Sequence, residues 1–166
     1  MLVGNVGDCA AVLCRGGAAL PVSDAHKPAR PDEAARIRRA GGWVTEDEDG
    51  ISRVCGELSV ARALGDADYK GMAGKDLDAM FFLFPEGHPR EFSGDLIVGE
   101  PEFRSLALGP GDAFLLLACD GLWDVMDEQT AVEVARELLA EEEGKAAADS
   151  VENGAWSSEP GEIECG

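Results

Sequence analysis

The chain has 166 residues, 45% of them hydrophobic, which suits one domain able to bury a core. Its 14 basic residues are outnumbered by 33 acidic ones, a net charge of −19 that argues against nucleic acid and anionic membrane surfaces, since phosphate contacts need Lys and Arg. The longest apolar run, Ala113 to Cys119, is strand-sized and falls well short of the roughly 20 residues of a membrane span.

The opening Met1 to Asp8 has neither the basic start nor the long apolar segment of a signal peptide. It reads as the middle of a strand, as though cut from something longer. The acidic excess is first a solvated surface, with a share left over for a cation site. Five cysteines (Cys9, Cys14, Cys55, Cys119, Cys165) are odd in number and lack a CxxC pair. That pattern predicts reduced thiols inside the cell, in cytoplasm or nucleus, with Cys119 a small buried hydrophobe at a strand end.

In chain order, Leu2 to Val6 predicts a strand closed by a turn at Gly7-Asp8. Ala10 to Cys14 and Ala18 to Val22 predict a hairpin around Arg15-Gly16-Gly17. Pro31 to Ala40 predicts a helix, with Pro31 in the first turn and Asp32 and Glu33 at the positive dipole end. Arg36, Arg38 and Arg39 lie at the negative end, with Gly41-Gly42 as the stop. Its inner face is Ala34, Ile37 and Ala40. Ile51 to Cys55 is a short strand. Residues 71 to 95 read as a long surface excursion with one aromatic anchor, Phe81 to Phe84. Phe103 to Leu108 and Ala113 to Ala118 are strands around the turn Gly109 to Asp112. Asp127 caps a helix running to about Glu143, with the stripe Ala131, Val134, Ala135, Leu138 and Leu139. From 144 to 166 the acidic tail has no periodicity and is expected to be disordered. Strands with antiparallel connections and segregated helices give an α+β fold class.

The chemistry concentrates where a buried strand, Ala113 to Cys119, delivers Asp120 at its end, followed by Gly121 and, four residues on, Asp124. On a helical turn the two carboxylates face one side, where they repel unless a cation lies between them. Hard cations such as Mg2+ and Mn2+ take such oxygen ligands. The alternative is a turn residue followed by a solvated helix residue. Asp8, also just past a strand, is either a turn acid or a second donor. The segment Arg53 to Lys70 is dense in Gly, Arg and Asp, with Asp66 and Asp68 reading as turn or capping residues.

Four ordered segments carry a resemblance. Gly4-Asn-Val-Gly-Asp-Cys-Ala-Ala-Val-Leu comes first, then Asp24-Ala-His-Lys-Pro with Arg36-Ile and Ala40-Gly-Gly-Trp-Val. Arg53 to Lys70 is third, and Ala118-Cys-Asp-Gly-Leu-Trp-Asp-Val-Met the most distinctive. Together they resemble the PPM-type (protein phosphatase 2C) metal-dependent Ser/Thr phosphatases over most of residues 2 to 140. The resemblance implies a four-layer α-β-β-α sandwich of antiparallel sheets, present here in part. It also implies phosphoserine and phosphothreonine hydrolysis of a phosphoprotein substrate at a binuclear Mn2+ or Mg2+ centre, with a possible third ion, in a monomeric parent. By motif position Asp120 would be a ligand of the central pair, and Asp8 and Asp124 would belong to the third position. The segment from His26 to Asp66 would form a flap near the substrate.

The departures are as informative. The family's N-terminal acidic pair, Asp-Gly-His-Gly-Gly segment and phosphate-gripping arginine are not in this sequence, nor is the late Asp-Asn ligand motif. No catalytic residue can therefore be assigned. His26 and His88 match no family histidine motif and are expected at the surface or in loops. Cys9 and Cys119 stand where serines are usual. The rival reading is a non-catalytic, phosphatase-like binding module, with Phe81 to Phe84 as its contact surface, or an incomplete gene product.

Overall fold

The computed structural model describes residues 1–75, 77 and 82–154, with the backbone alone at residue 144 and from 146 onward. The hairpin of β2 (Ala10–Arg15) and β3 (Ala18–Pro21) is its organising element. Gly16 and Gly17 both take left-handed backbone, φ 60° and 85°, the combination a two-residue hairpin turn requires to match strand twist. On its other edge β2 pairs antiparallel with β7 (Asp112–Ala118), so the sheet order is β3-β2-β7.

Being central, β2 is buried on both faces, from Ala11 to Cys14. Val12 and Cys14 pack with Val132, Phe114, Leu116 and Trp123 on the helical side. Ala11 and Leu13 pack with Val22, Val3, Leu20, Leu106 and Leu115 on the other. That second face is covered by a smaller sheet of β1 (Leu2–Asn5) and β6 (Glu102–Ser105), in register from Leu2 opposite Ser105 to Asn5 opposite Glu102. Helix, sheet and sheet are thus stacked, an α+β arrangement and part of the expected sandwich. The turn at Gly109 to Asp112 forms, with the Asp112 amide donating to the Gly109 carbonyl at 3.0 Å. The strands on either side of it join different sheets instead of pairing with each other.

Helix α1 (Pro31–Arg39) forms as expected, with Pro31 in the first turn and Gly41 at φ 90° past its end. A Cβ at Gly41 would lie 2.5 Å from the Glu91 carbonyl oxygen, so the glycine also lets residues 91–92 approach. The hairpin of β4 (Val44–Glu46) and β5 (Ser52–Val54) follows; β4 carries no sequence signal of its own, being three residues long.

The excursion after residue 71 differs from expectation. It is a wall of the larger core: Met72, Leu77, Phe82 and Phe92, with Leu96 and Ile97 just past its end, are buried with Ile37, Val54 and Ala61. Trp43 anchors it, with ring centroids 5.2 Å from Phe84 and 6.5 Å from Phe92. Scattered aromatics separated by Gly and Pro have no period, which is why they read as loop. Phe82 is therefore no contact surface, whereas Phe81 and residues 78–80 lie outside the described residues.

Helix α3 (Glu128–Gly154) is capped as expected, the Thr130 amide donating to Asp127 Oδ1 at 2.9 Å. Two features correct the sequence reading. Among its described side chains Ala131 and Val132 are buried, while Val134, Leu138 and Leu139 are exposed. The helix also continues past Glu143 to Gly154, where the run Ala146 to Ala148 has the highest helix propensity available. Residues 155–166 of the tail lie outside the described residues.

Candidate metal-binding cleft

The three acids singled out in the sequence arrive at one end of the β3-β2-β7 sheet. β1 ends at Asn5, Gly7 turns at φ 114°, and Asp8 precedes β2. β7 ends at Ala118, opposite Ala10 in register, so Asp8 and Asp120 emerge side by side. Asp120 opens the short helix α2 (Asp120–Trp123), and the Asp124 amide donates to the Asp120 carbonyl at 2.8 Å. Trp123 Nε1 donates to the Ala118 carbonyl at 2.9 Å and pins this turn to the strand. Asp8, Asp120 and Asp124 all line a cleft of about 310 Å³, together with Asp24, Lys27 and Glu128. Asp120 is half-buried and Asp124 exposed.

The donor set is all carboxylate oxygen, the chemistry a hard divalent cation takes. The count is short, however. Among the described residues no three His, Cys, Asp or Glu side chains come together as a group that could hold an ion. Asp8 is already engaged: Lys27 Nζ donates to its Oδ2 at 2.7 Å. The described residues therefore fit part of a metal centre and do not complete one.

Behind the cleft lies a charged network the sequence reading missed. His26 lies in a loop, one of the two places expected, but it is fully buried there and not at the surface. Its Nδ1 is 3.1 Å from the Gly7 amide nitrogen, and its Nε2 is 3.1 Å from Glu102 Oε2. Nδ1 also lies 2.9 Å from the Gly7 carbonyl oxygen, to which the His26 amide donates at 2.9 Å, so His26 holds the turn that presents Asp8. Arg30 also reaches Glu102 at 2.8 Å, and this bond holds the Glu102 carboxyl below its ordinary value. Glu33, only 1% exposed, receives Arg62 Nε at 2.7 Å and Arg36 Nε at 2.9 Å. Arg62 thereby ties the segment after β5 to α1. His88 packs at a 59° tilt against Trp43, centroids 4.8 Å apart, away from the cleft. Asp66, at φ 53°, is the turn residue expected. Cys119 is exposed, since its strand end opens onto a cleft instead of a core. The only sequence signal for Lys27 and His26 was their place in Asp24-Ala-His-Lys-Pro, two polar groups following a short apolar strand.

Paired antiparallel layers with a helix on one face, and acids gathered at one sheet end, define an α+β domain that presents carboxylates where its strands end. The chain belongs to the protein phosphatase 2C family, whose model, Protein phosphatase 2C, matches residues 1–158. It is 42% identical over 139 residues to "Probable protein phosphatase 2C 2" of Oryza sativa subsp. japonica, covering 84% of this chain and 30% of that protein. It is 41% identical over 135 residues to "Protein phosphatase 1B" of Mus musculus, covering 81% and 30%. Among solved structures, a phosphatase from a pathogenic strain of Toxoplasma gondii superposes with TM-score 0.63 at 29% identity, covering 91% of this chain and 41% of that one. The chain thus spans about 30% of the length of the curated relatives it matches.

Proposed function

We propose that this chain is the part of a metal-dependent protein Ser/Thr phosphatase that contributes Asp120 to a binuclear Mn2+ or Mg2+ centre and Asp8 and Asp124 to a third cation position beside it. The convergence of these three acids on one cleft, from two separate strand ends, carries the reading. Bound there, the cations would supply an activated water and stabilise charge on a phosphoryl group. The chain's own part is to position oxygen donors: β7 and the Trp123 contact hold Asp120, and His26 holds the Gly7 turn before Asp8. Lys27 neutralises Asp8 until a cation takes its place. The substrate is a phosphoprotein, and the isolated chain, with too few ligands to close the centre, is inactive.

The test is Mn2+-dependent hydrolysis of a phosphothreonine peptide by the longer gene product and by the 166-residue chain. Activity confined to the longer protein and abolished by Asp120→Ala supports the reading. Activity in the isolated chain, or in the Asp120→Ala protein, refutes it. A longer protein with neither activity nor Mn2+ binding returns the binding-module alternative.

A further inference from the structure

Two thiols flank the acids of the cleft: Cys9 directly follows Asp8, and Cys119 directly precedes Asp120. β2 and β7 pair with Ala10 opposite Ala118 and Ala11 opposite Leu117. The ladder ends there. Cys9 and Cys119, the next residue on each strand's chain, would be opposite one another if its register were carried one step further, Cys119 still in extended backbone. Residues opposed in an antiparallel ladder have Cα atoms about 4.5 to 5.5 Å apart, inside the roughly 4.4 to 6.8 Å that a disulfide spans. Strand alternation puts both side chains on the face of Ala11 and Leu117, and all four residues line one cleft of about 380 Å³. Both are free and exposed, whereas Cys14 and Cys55 are buried.

We propose that Cys9 and Cys119 are a peroxide-responsive pair that closes into a cross-strand disulfide. One thiolate attacks a peroxide oxygen and the O–O bond breaks. Its sulfur is oxidised to sulfenic acid, and the departing hydroxide takes up the thiol's proton as water. The second thiolate then attacks the sulfenic sulfur, the S–O bond breaks, and a second water leaves in the same way. Two thiols and one hydrogen peroxide give one disulfide and two waters. The new bond ties together the strand ends that carry Asp8 and Asp120. That it changes the cation response of those acids rests on the proposed phosphatase function; the chemistry of the pair does not.

The experiment treats the reduced chain, as Cys165→Ser, with hydrogen peroxide, then alkylates and digests it without reductant for mass spectrometry. A peptide joining Cys9 to Cys119 within one chain, two hydrogens lighter and restored by dithiothreitol, is expected. With Cys9→Ser added, Cys119 is instead trapped by dimedone as the sulfenic acid. Oxidation without that link, links to Cys14 or Cys55, or links only between chains would overturn the proposal. A second arm compares Mn2+-dependent phosphatase activity of the longer gene product, reduced and oxidised. A formed link with unchanged activity overturns the regulatory consequence alone, while an inactive reduced protein is a failure of the functional reading.

Discussion

Lys27 Nζ sits 2.7 Å from Asp8 Oδ2, so the acid that opens β2 is paired with an internal cation in the same cleft as Asp120 and Asp124. A divalent ion binding at Asp8 must displace that ammonium. The pair is partly exposed, at 39% and 22%, and such pairs contribute about 0.2 to 1 kcal/mol. Lys27→Met should therefore tighten Mn2+ binding at Asp8 by up to about fivefold, the upper end of that range. Titration of Mn2+ against the Asp8 amide resonance would read the change; an unaltered or weaker affinity would show that Lys27 is no competitor.

Glu33 is the anchor joining α1 to the segment carrying Arg62. Its carboxylate is buried, and removing it takes from Arg36 and Arg62 the anion they share, leaving them their backbone carbonyl partners. Breaking a buried pair costs about 3 to 5 kcal/mol, and the partial exposure of both arginines favours the low end. Glu33→Ala should lower the urea midpoint accordingly, and Glu33→Gln should lower it less by keeping the shape and half of the hydrogen bonding. Equal stability of Glu33→Ala and the unaltered chain would show the network to be idle.

Phe92 tests the corrected view of the excursion. It is 2% exposed and lies 5.4 Å and 5.6 Å, centroid to centroid, from Phe82 and Phe84. Phe→Ala in a packed core costs about 3 to 5 kcal/mol. Phe92→Ala should thus rival Glu33→Ala in a denaturant melt, while Leu83→Ala, at an exposed position, should be nearly silent. A mild Phe92→Ala would restore the surface-loop reading.

Stability should fall at both ends of the pH scale. Arg15 holds Asp112 below 3.8, Arg30 holds Asp32 below 3.8 and Glu102 below 4.5, and the Thr130 amide holds Asp127 below 3.8. Depressed carboxyls stabilise the fold above their unfolded values, and that contribution is lost as pH falls through the folded ones. The acid loss should therefore begin near 4.5 and deepen below 3.8. In alkali the sign reverses. Burial pushes Cys55 up from 9.0 to about 11 and Tyr69 from 10.0 to about 12, so stability present below 9.0 drains away as pH climbs through those folded values. Thermal melts from pH 2 to 12 should show a plateau between, and Cys55→Ala should delay the alkaline onset to Tyr69's window. A flat profile would contradict both assignments.

Local chemistry was legible in the residues themselves. The Gly16-Gly17 turn, the Pro31 start of α1, the Gly41 stop and the Asp127 cap are each decided within a few residues by backbone sterics and dipoles, and all formed where expected. The fold class followed from the same short-range patterns. Asp8 and Asp120 stood out as acids just past apolar strands, and Asp124 by its four-residue spacing from Asp120. That they share a cleft is the fold's doing, and their role as cation ligands is the proposal above.

Tertiary structure decided what depends on long-range partners. Strand partnership was one such matter: β6 turns to β1 and β7 to β2, though their sequences flank a common turn. Another was that His26 and Glu33, polar residues whose usual place is the surface, are buried because charges from distant segments satisfy them. Phe82 and Phe92 became core, with Trp43 and Phe84 packed against them from partly buried positions. Cys9 and Cys119 came to one cleft through the β2–β7 pairing, which sums over the whole ladder and has no signature at either cysteine. Sequence determines what each residue can satisfy locally, whereas burial and pairing are set by which distant groups the folded chain brings within reach.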